Sequence, residues 1–362
     1  MTTAAHRRMA TLGSAAALAV LAASIAHAAL TWTPVQLLPT GSGPSAATTP
    51  DGSAAVAWWI PSDSGTPFSS GLALAIGSGD TFSGGVITTS DLAYPDVAYS
   101  SDGTAHIAAY YAGGAGGLGY VTDAGGVVIE TLVTAELNTD RPSIGVDGAG
   151  LPHIAYTTPA GLFLATLDAG AWSSTQIWSG TAIAPRLAVE SSGVNHVVWT
   201  GLDPDTFNPT GIFYATDRSG PWAVQTVSAN TADTQPDIGV ESTGVVDIVY
   251  AHEVQHGAGL ILLAEDARRS KLIVRGTADT PTLAIGPDDS LHVAYWDFAQ
   301  RTRGLHQTSN ESGRFMDSFI SNLGEPGAPI ADTVTPDGRA YVVFDEVGGC
   351  CPQTGGLFVA HD

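Results

Sequence analysis

The chain has 362 residues, of which 44% are hydrophobic and only 13% are charged, so it can bury a large core and has little that is typical of disorder. Acidic residues outnumber basic ones by 35 to 13, which gives a net charge of −22. This balance argues against nucleic acids and anionic membrane surfaces as partners, because both require clustered cations.

Residues 1–28 are typical of a secretory signal peptide. An Arg-Arg pair is followed by an alanine-rich apolar run from Leu12 to Ile25 and by a small-x-small cleavage site, Ala26-His27-Ala28. The run is too short to indicate a membrane span. We therefore expect a secreted or periplasmic protein whose mature form starts near Ala29 and contains no membrane span.

Residues 29–362 consist of copies of one sequence unit, and its clearest copy is RPSIGVDGAGLPHIAY, Arg141–Tyr156. A proline opens a short strand, a glycine turn follows, and a histidine begins a second strand. The opening prolines of seven copies lie at positions 44, 95, 142, 185, 236, 281 and 329, so the spacing is 43 to 51 residues. A period of this length is typical of four-stranded propeller blades.

The rest of each unit supplies two more strands. A variable loop leads to a third strand such as GLFLAT, and a turn leads to a fourth such as Trp172–Trp178. The last copy ends after its third strand, whereas Trp32–Leu37 resembles the fourth strands and precedes the first copy. The sequence thus predicts an all-β, seven-bladed β-propeller in which the N-terminal strand closes the last blade and removes exposed edges.

The repeated unit resembles the blades of bacterial exported β-propellers of the sialidase-like (bacterial neuraminidase repeat) type. Degenerate versions of their Asp-box motif lie at Thr166–Trp172 and Thr216–Trp222. The resemblance covers nearly all of the mature chain and implies the fold. Because the Asp-box is a folding motif, the resemblance does not imply a particular chemistry.

Residues that recur in most copies are predicted to be structural. Histidine begins the second strand in four blades, at His106, His153, His196 and His292. Equivalent positions of a ring lie in separate blades, so these histidines are expected to form local hydrogen bonds rather than one metal site.

Candidate ligand contacts lie in the irregular loops between the second and third strands, which share one face of the ring. We expect Trp59, Arg301 and Arg303 to contact a ligand there, because aromatic rings stack on sugars and arginines bind carboxylates. Cys350 and Cys351 are the only cysteines and are adjacent. A strained vicinal disulfide would give the ligand a hard surface, but free thiols and a dimer bridge stay open.

Two loops contain candidate metal ligands. His252 and His256 belong to an HExxH match, but it follows a strand and runs into glycines, so the helix that a zinc protease requires is not predicted. The two histidines remain candidate ligands of a loop metal. Asp203, Asp205 and Asn208 are candidates for calcium, although the full EF-hand spacing is absent.

The sequence favours an exported binding module for a glycan, another extracellular small molecule or a protein, and leaves an enzyme open. The alternative is a glycan hydrolase or lyase of sialidase-like type, with Asp297, Asp345 and Glu346 as acid/base candidates. Such an enzyme requires two carboxylates that converge on the same bond of the substrate. A sialidase-like arginine trio would have to use Arg141, Arg301 and Arg303, for which no motif exists. A structural surface protein is the third alternative.

Overall fold

The computed structural model describes residues 32–38, 41–61, 70–112, 116–137, 140–252, 259–264, 270–323, 328–345 and 356–362. These residues form seven four-stranded antiparallel sheets, here called blades 1 to 7 in chain order. The first strands of successive blades contact one another, and those of blades 7 and 1 do as well, so the ring is closed. The seven-bladed β-propeller predicted from the repeat is thereby confirmed.

The strands run in chain order from the centre of the ring outwards. β1 is Thr33–Leu38, and blade 1 comprises β2 Ser42–Thr48, β3 Ala54–Ile60, β4 Gly71–Ser78 and β5 Thr81–Thr88. Blade 2 comprises β6 Leu92–Tyr99, β7 Ala105–Tyr111, β8 Leu118–Thr122 and β9 Ile129–Thr134, with a 3-10 turn at Ala124–Gly126. Blade 3 comprises β10 Ser143–Val146, β11 Pro152–Thr158, β12 Gly161–Asp168 and β13 Ala171–Trp178. Blade 4 comprises β14 Thr181–Val189, β15 Asn195–Leu202, β16 Pro209–Thr216 and β17 Ala223–Ser228.

The remaining blades follow the same order. Blade 5 comprises β18 Asp233–Val240, β19 Val246–His252, β20 Gly259–Ala264 and β21 Lys271–Arg275. Blade 6 comprises β22 Ala278–Ile285, β23 Leu291–Asp297, β24 Gly304–Ser309 and β25 Met316–Ser321. Blade 7 comprises β26 Ile330–Val334, β27 Ala340–Asp345 and β28 Leu357–His361. Its fourth, outermost strand is β1, which pairs antiparallel with β28.

The core lies between neighbouring blades. The second strands are covered on both faces, which explains their continuous apolar sequences. At the seam between blades 6 and 7, for example, the ring of Trp296 meets that of Phe344 edge-on at 6.3 Å. Among the described residues, no helix is long and apolar enough to cross a membrane.

The repeated histidines are hydrogen-bonded within their own blades, as predicted. Nδ1 of His106 lies 2.6 Å from the Tyr120 hydroxyl, and Nδ1 of His196 lies 2.6 Å from that of Tyr214. His153 contacts the Thr166 hydroxyl at 3.3 Å, and His292 contacts that of Ser290 at 3.0 Å. All four rings are buried. The first three therefore join the second strand of a blade to its third strand, and His292 contacts the turn that precedes its own strand.

A β-bulge opens the first strand of most blades and turns its side chains towards the axis. The pairing register shifts beside the opening proline in blades 1, 2, 4, 5 and 6. In these blades the residue before the proline has a left-handed backbone, with φ between 47° and 60°. A bulge re-aims the side chains next to it. The residues on either side of the seven prolines are therefore brought to the centre of the ring.

Candidate ligand-binding site

Two adjoining cavities of about 220 and 260 Å³ occupy the centre of the ring. Their walls are the first strands of the blades, and the residues flanking the opening prolines supply most of the lining. Four residues line both cavities: Arg141, Arg186, Thr282 and Ile330. The cavities therefore meet at two arginine side chains.

In most blades the residue after the proline holds the next blade in place. Asp96 accepts a hydrogen bond from the backbone N–H of Ile144 at 2.8 Å, and Asp237 accepts one from that of Leu283 at 2.8 Å. The hydroxyl of Ser143 accepts from the N–H of Leu187 at 3.1 Å. These side chains thus form blade-to-blade straps, because each satisfies a backbone donor of the neighbouring first strand.

Arg186 occupies this position in blade 4 and cannot act as such a strap, because a guanidinium has no acceptor. Its Nε instead lies 3.6 Å from Oδ1 of Asp237, and its Nη1 donates to the carbonyl of Pro185 at 3.3 Å. The side chain is partly exposed to the cavity, at 29%. Arg186 is therefore the one cation among the seven residues that follow the opening prolines.

Arg141 precedes the proline of blade 3, where the other blades have Gly43, Tyr94, Ala184, Gln235, Thr280 and Ala328. Its guanidinium carbon lies 4.5 Å from the centre of the Tyr94 ring, which stacks in turn on Tyr110 at 5.6 Å. Burial and the nearby charge of Arg186 lower the pKa of Arg141. Within the described part of the chain, no carboxylate lies at salt-bridge distance from this arginine. A cation–π contact with Tyr94 therefore stabilises its charge.

Asp345 lies at the end of β27, beside the first residues of β2. The side chain is only 2% exposed and accepts hydrogen bonds from the Ser42 hydroxyl at 3.1 Å and the Gly43 N–H at 3.3 Å. Its Oδ1 has no hydrogen-bond partner among the described residues. Burial raises the pKa of Asp345 to about 7, although both hydrogen bonds and the charge of Arg141 act in the opposite direction.

The predicted ligand residue Trp59 lies near Asp345, because it pairs with Ser42 in blade 1. Its Nε1 donates to Oδ1 of Asp91 at 2.8 Å, and its ring meets that of Tyr94 at 6.1 Å. Trp59 and Tyr110 thus each contact Tyr94, and Tyr94 in turn contacts the Arg141 guanidinium.

The predicted residues of the blade 6 loop lie elsewhere. Arg301 and Arg303 are exposed, and neither they nor Asp297 belong to the described lining of the two cavities. Asp297 accepts hydrogen bonds from the Thr277 hydroxyl at 2.9 Å, the Ala299 N–H at 2.9 Å and the Thr302 hydroxyl. Burial alone would raise the pKa of Asp297, but these hydrogen bonds outweigh it and lower the pKa. Asp297 is therefore ionised, and its hydrogen bonds stabilise its own loop.

The candidate metal ligands are used locally. Oδ1 of Asp203 accepts from the N–H groups of Asp205 and Thr206 at 3.1 and 2.8 Å, an arrangement typical of a turn. Nδ1 of His252 lies 2.6 Å from Oδ1 of the buried Asp233. The described residues contain no group of three or more His, Cys, Asp or Glu side chains that could hold a metal. The calcium site at Asp203, Asp205 and Asn208 stays a prediction.

Four of the predicted site residues, namely His256, Glu346, Cys350 and Cys351, lie outside the described residues. Sequence reasoning placed function in the loops after the second strands and so missed Arg186. The sequence does contain a clue to Arg186, because it is the only positively charged residue that directly follows an opening proline. The sequence suggested Arg141 as a member of a sialidase-like arginine trio, and not as part of the central cavity.

No family model and no curated protein matches this sequence. Solved structures do match it. An oligogalacturonate lyase from Vibrio parahaemolyticus is 9% identical, with a TM-score of 0.56 over 92% of this chain and 97% of that chain. An α-L-arabinofuranosidase from Fusarium graminearum is also 9% identical, with a TM-score of 0.54 over 92% and 98%. A protein of unknown function from Dyadobacter fermentans is 11% identical, with a TM-score of 0.53 over 92% and 98%.

At these identities the likeness establishes the fold alone. The sequence-based resemblance is confirmed only in part: the chain is a seven-bladed propeller, and its structural neighbours include enzymes named for action on carbohydrates. What those enzymes act on is a property of theirs.

Proposed function

We propose that this protein is an exported binding module for a carboxylate-bearing saccharide, which it holds at the centre of its loop-bearing face. The observation that carries the proposal is the meeting of Arg141 and Arg186 at the junction of the two central cavities. The chain has only 13 basic residues against 35 acidic ones. Two arginines at one cavity are therefore the feature most suited to an anionic ligand.

The way in which Arg141 is held supports this role. The cation–π contact of Arg141 with Tyr94 needs no hydrogen-bond acceptor, and the guanidinium carries five N–H donors. These donors can bind both oxygens of a carboxylate. Arg186 adds a second positive charge, part of which is balanced by Asp237. The carbohydrate-active neighbours and the predicted signal peptide favour an extracellular acidic sugar over other carboxylates.

Titration calorimetry tests the proposal with an oligogalacturonide and its fully methyl-esterified counterpart, which keeps the sugar rings but lacks the charge. We expect binding of the acid form only, and an affinity at least tenfold lower for Arg141→Gln and for Arg186→Gln. This expectation follows from the roughly 1.5–3 kcal/mol of a hydrogen bond to a charged group. Arg303→Gln removes an exposed arginine elsewhere and is the matched control, expected to change the affinity less than twofold. Equal binding of the ester, or wild-type affinity in both cavity variants, would overturn the proposal.

A second candidate function is cleavage of the bound glycan by hydrolysis or elimination. The observation that favours it is Asp345, a buried carboxyl that accepts a hydrogen bond from Gly43 of the cavity lining and whose pKa burial raises to about 7. A general acid works best when its pKa lies near the operating pH. Release of reducing ends or unsaturated products by the wild type, lost in Asp345→Asn with binding retained, would support an enzyme. Binding without product release leaves the binding module, and neither binding nor release would support a purely structural surface protein.

A further inference from the structure

Asp345 departs from a position that is otherwise uncharged in every blade. The equivalent residues close the second strands of the other blades, and each pairs with a leucine or isoleucine of the third strand: Trp59, Tyr110, Thr157, Thr200, Ala251 and Trp296. Asp345 pairs with the fully buried Leu357. A carboxyl group thus stands where the fold provides apolar surroundings.

The surroundings of Asp345 are only half complete as a carboxylate site. The Ser42 hydroxyl and the Gly43 N–H satisfy Oδ2, but Oδ1 is buried without a partner. An ionised carboxylate in such a place is costly, because burial penalises the charged form and a buried acceptor needs a donor. The protonated form carries no charge and avoids this cost. Asp345 itself does not line the cavities, but it accepts a hydrogen bond from Gly43, which does.

Arg141 is the one described charged group that acts on Asp345 from the surrounding elements. β2 presents Ser42 and Gly43, and β28 presents Leu357. The titratable groups of the flanking strands lie further along: Asp332 of β26 pairs with Val342, and His361 of β28 pairs with Tyr341. These positions are three and four residues from Asp345, or about 10 and 13 Å at the rise of a strand.

We propose that the central site takes up its anionic ligand together with a proton, and that this proton resides on Asp345. This inference rests on the proposed function. When Asp345 is ionised, its negative charge opposes a ligand carboxylate at Arg141 and offsets part of the arginine's attraction. When Asp345 is protonated, the full charge of Arg141 is available to the ligand. Burial keeps the dielectric low, so the difference between the two states is large.

The consequence is an affinity that depends on pH. By linkage, a ligand that prefers the protonated form binds up to tenfold more weakly for each pH unit above the titration of that group. The carboxylate of a uronic acid is itself ionised throughout the range from pH 5.5 to 8.5. We therefore expect the dissociation constant of the wild type to rise about tenfold between pH 6 and pH 8.

The test is titration calorimetry with an oligogalacturonide at pH 7, in several buffers of different ionisation enthalpy, together with a series of dissociation constants from pH 5.5 to 8.5. The wild type should take up a fraction of a proton on binding. Asp345→Asn should take up clearly less than the wild type, and its dissociation constant should vary less with pH, because the amide keeps a carbonyl acceptor for Ser42 and Gly43 but cannot take up a proton. Any uptake that remains is assigned to Asp237 and Asp332, which line the same cavity and whose pKa values are also raised by burial. Asp297→Asn, a carboxylate braced in its own loop, is the matched control and should retain the proton uptake.

The outcomes separate the two proposals. Absence of binding at every pH would overturn the proposed function. Binding by the wild type with no proton uptake, or equal proton uptake in Asp345→Asn, would overturn the role of Asp345 and leave the binding site standing. Thermal unfolding of each variant at pH 6 verifies that it is folded, and Asp345→Ser serves as a second uncharged variant should the amide fail to fold.

Discussion

Asp96→Ala tests the blade-to-blade straps that place the arginines at the axis. Asp96 accepts from the Ser45 hydroxyl of blade 1 at 2.7 Å and from the Ile144 N–H of blade 3 at 2.8 Å, so one carboxylate joins three blades. Each hydrogen bond to a charged group is worth about 1.5–3 kcal/mol when its partner is left buried. Because the Asp96 side chain is half-buried and water can replace part of it, we expect a loss of roughly 2–4 kcal/mol in the free energy of unfolding.

Scanning calorimetry measures this loss as a fall in the melting temperature of about 4–8 °C, at roughly 2 °C per kcal/mol for a chain of this size. Asp102→Ala is the matched control. Asp102 also accepts two hydrogen bonds, from the Ser100 hydroxyl at 2.6 Å and the Thr104 N–H at 3.0 Å, but both lie within its own exposed turn. Equal shifts in the two variants would show that a strap between blades contributes no more to stability than a local turn does.

Three further predictions concern burial and charge. Asp345→Asn should stabilise the protein at pH 8 by roughly 2–4 kcal/mol, and far less at pH 4. The reason is that the raised pKa of Asp345 makes the stability of the wild type fall as the pH rises between those values. Denaturant titrations in which the variant and the wild type differ equally at both pH values would contradict this. Trp296→Ala should cost about 3–5 kcal/mol, because the ring is fully buried and Nε1 bonds to the Ala328 carbonyl, whereas Phe298→Ala at an exposed site should cost under about 0.5 kcal/mol in the same titrations. Burial lowers the pKa of His106, so its ¹⁵N signals should remain those of a neutral ring at pH 6, and a charged ring there would refute its structural role.

The fold could be predicted from the sequence because each blade repeats the same local rules. An opening proline, a glycine turn and an apolar second strand recur seven times, and their spacing alone indicates four strands per unit. The second-strand histidines were also interpreted correctly, because those positions lie in separate blades where each must find its own hydrogen-bond partner.

The site could be predicted less well, and the reason is geometric. The expectation that equivalent residues of a ring lie apart holds for the second strands. It fails for the first strands, which surround the axis and bring Arg141 and Arg186 to one cavity. The repeat in the sequence does not show that the first strands lie nearer to the axis of the ring than the second strands do. The β-bulge that turns these side chains inwards could not be predicted either. The residues before the prolines range from glycine to tyrosine and share no property that indicates a bulge.

Asp345 illustrates the same limit. The sequence identified it as an acid/base candidate together with Asp297, since both end a second strand. The structure separates them, because Asp297 finds three hydrogen-bond donors in its own loop and Asp345 is buried with one oxygen unpaired. Asp297 receives its hydrogen bonds from residues near it in the sequence. Asp345 receives its hydrogen bonds from β2, which lies near the other end of the chain, so the sequence around Asp345 does not reveal them.

The most direct test of the central site is a crystal structure of the mature protein with an oligogalacturonide bound. We expect a ligand carboxylate within hydrogen-bonding distance of the guanidinium groups of Arg141 and Arg186, at the junction of the two central cavities. A ligand bound instead at the exposed loop of Arg301 and Arg303, with the central cavities filled only by water, would contradict it.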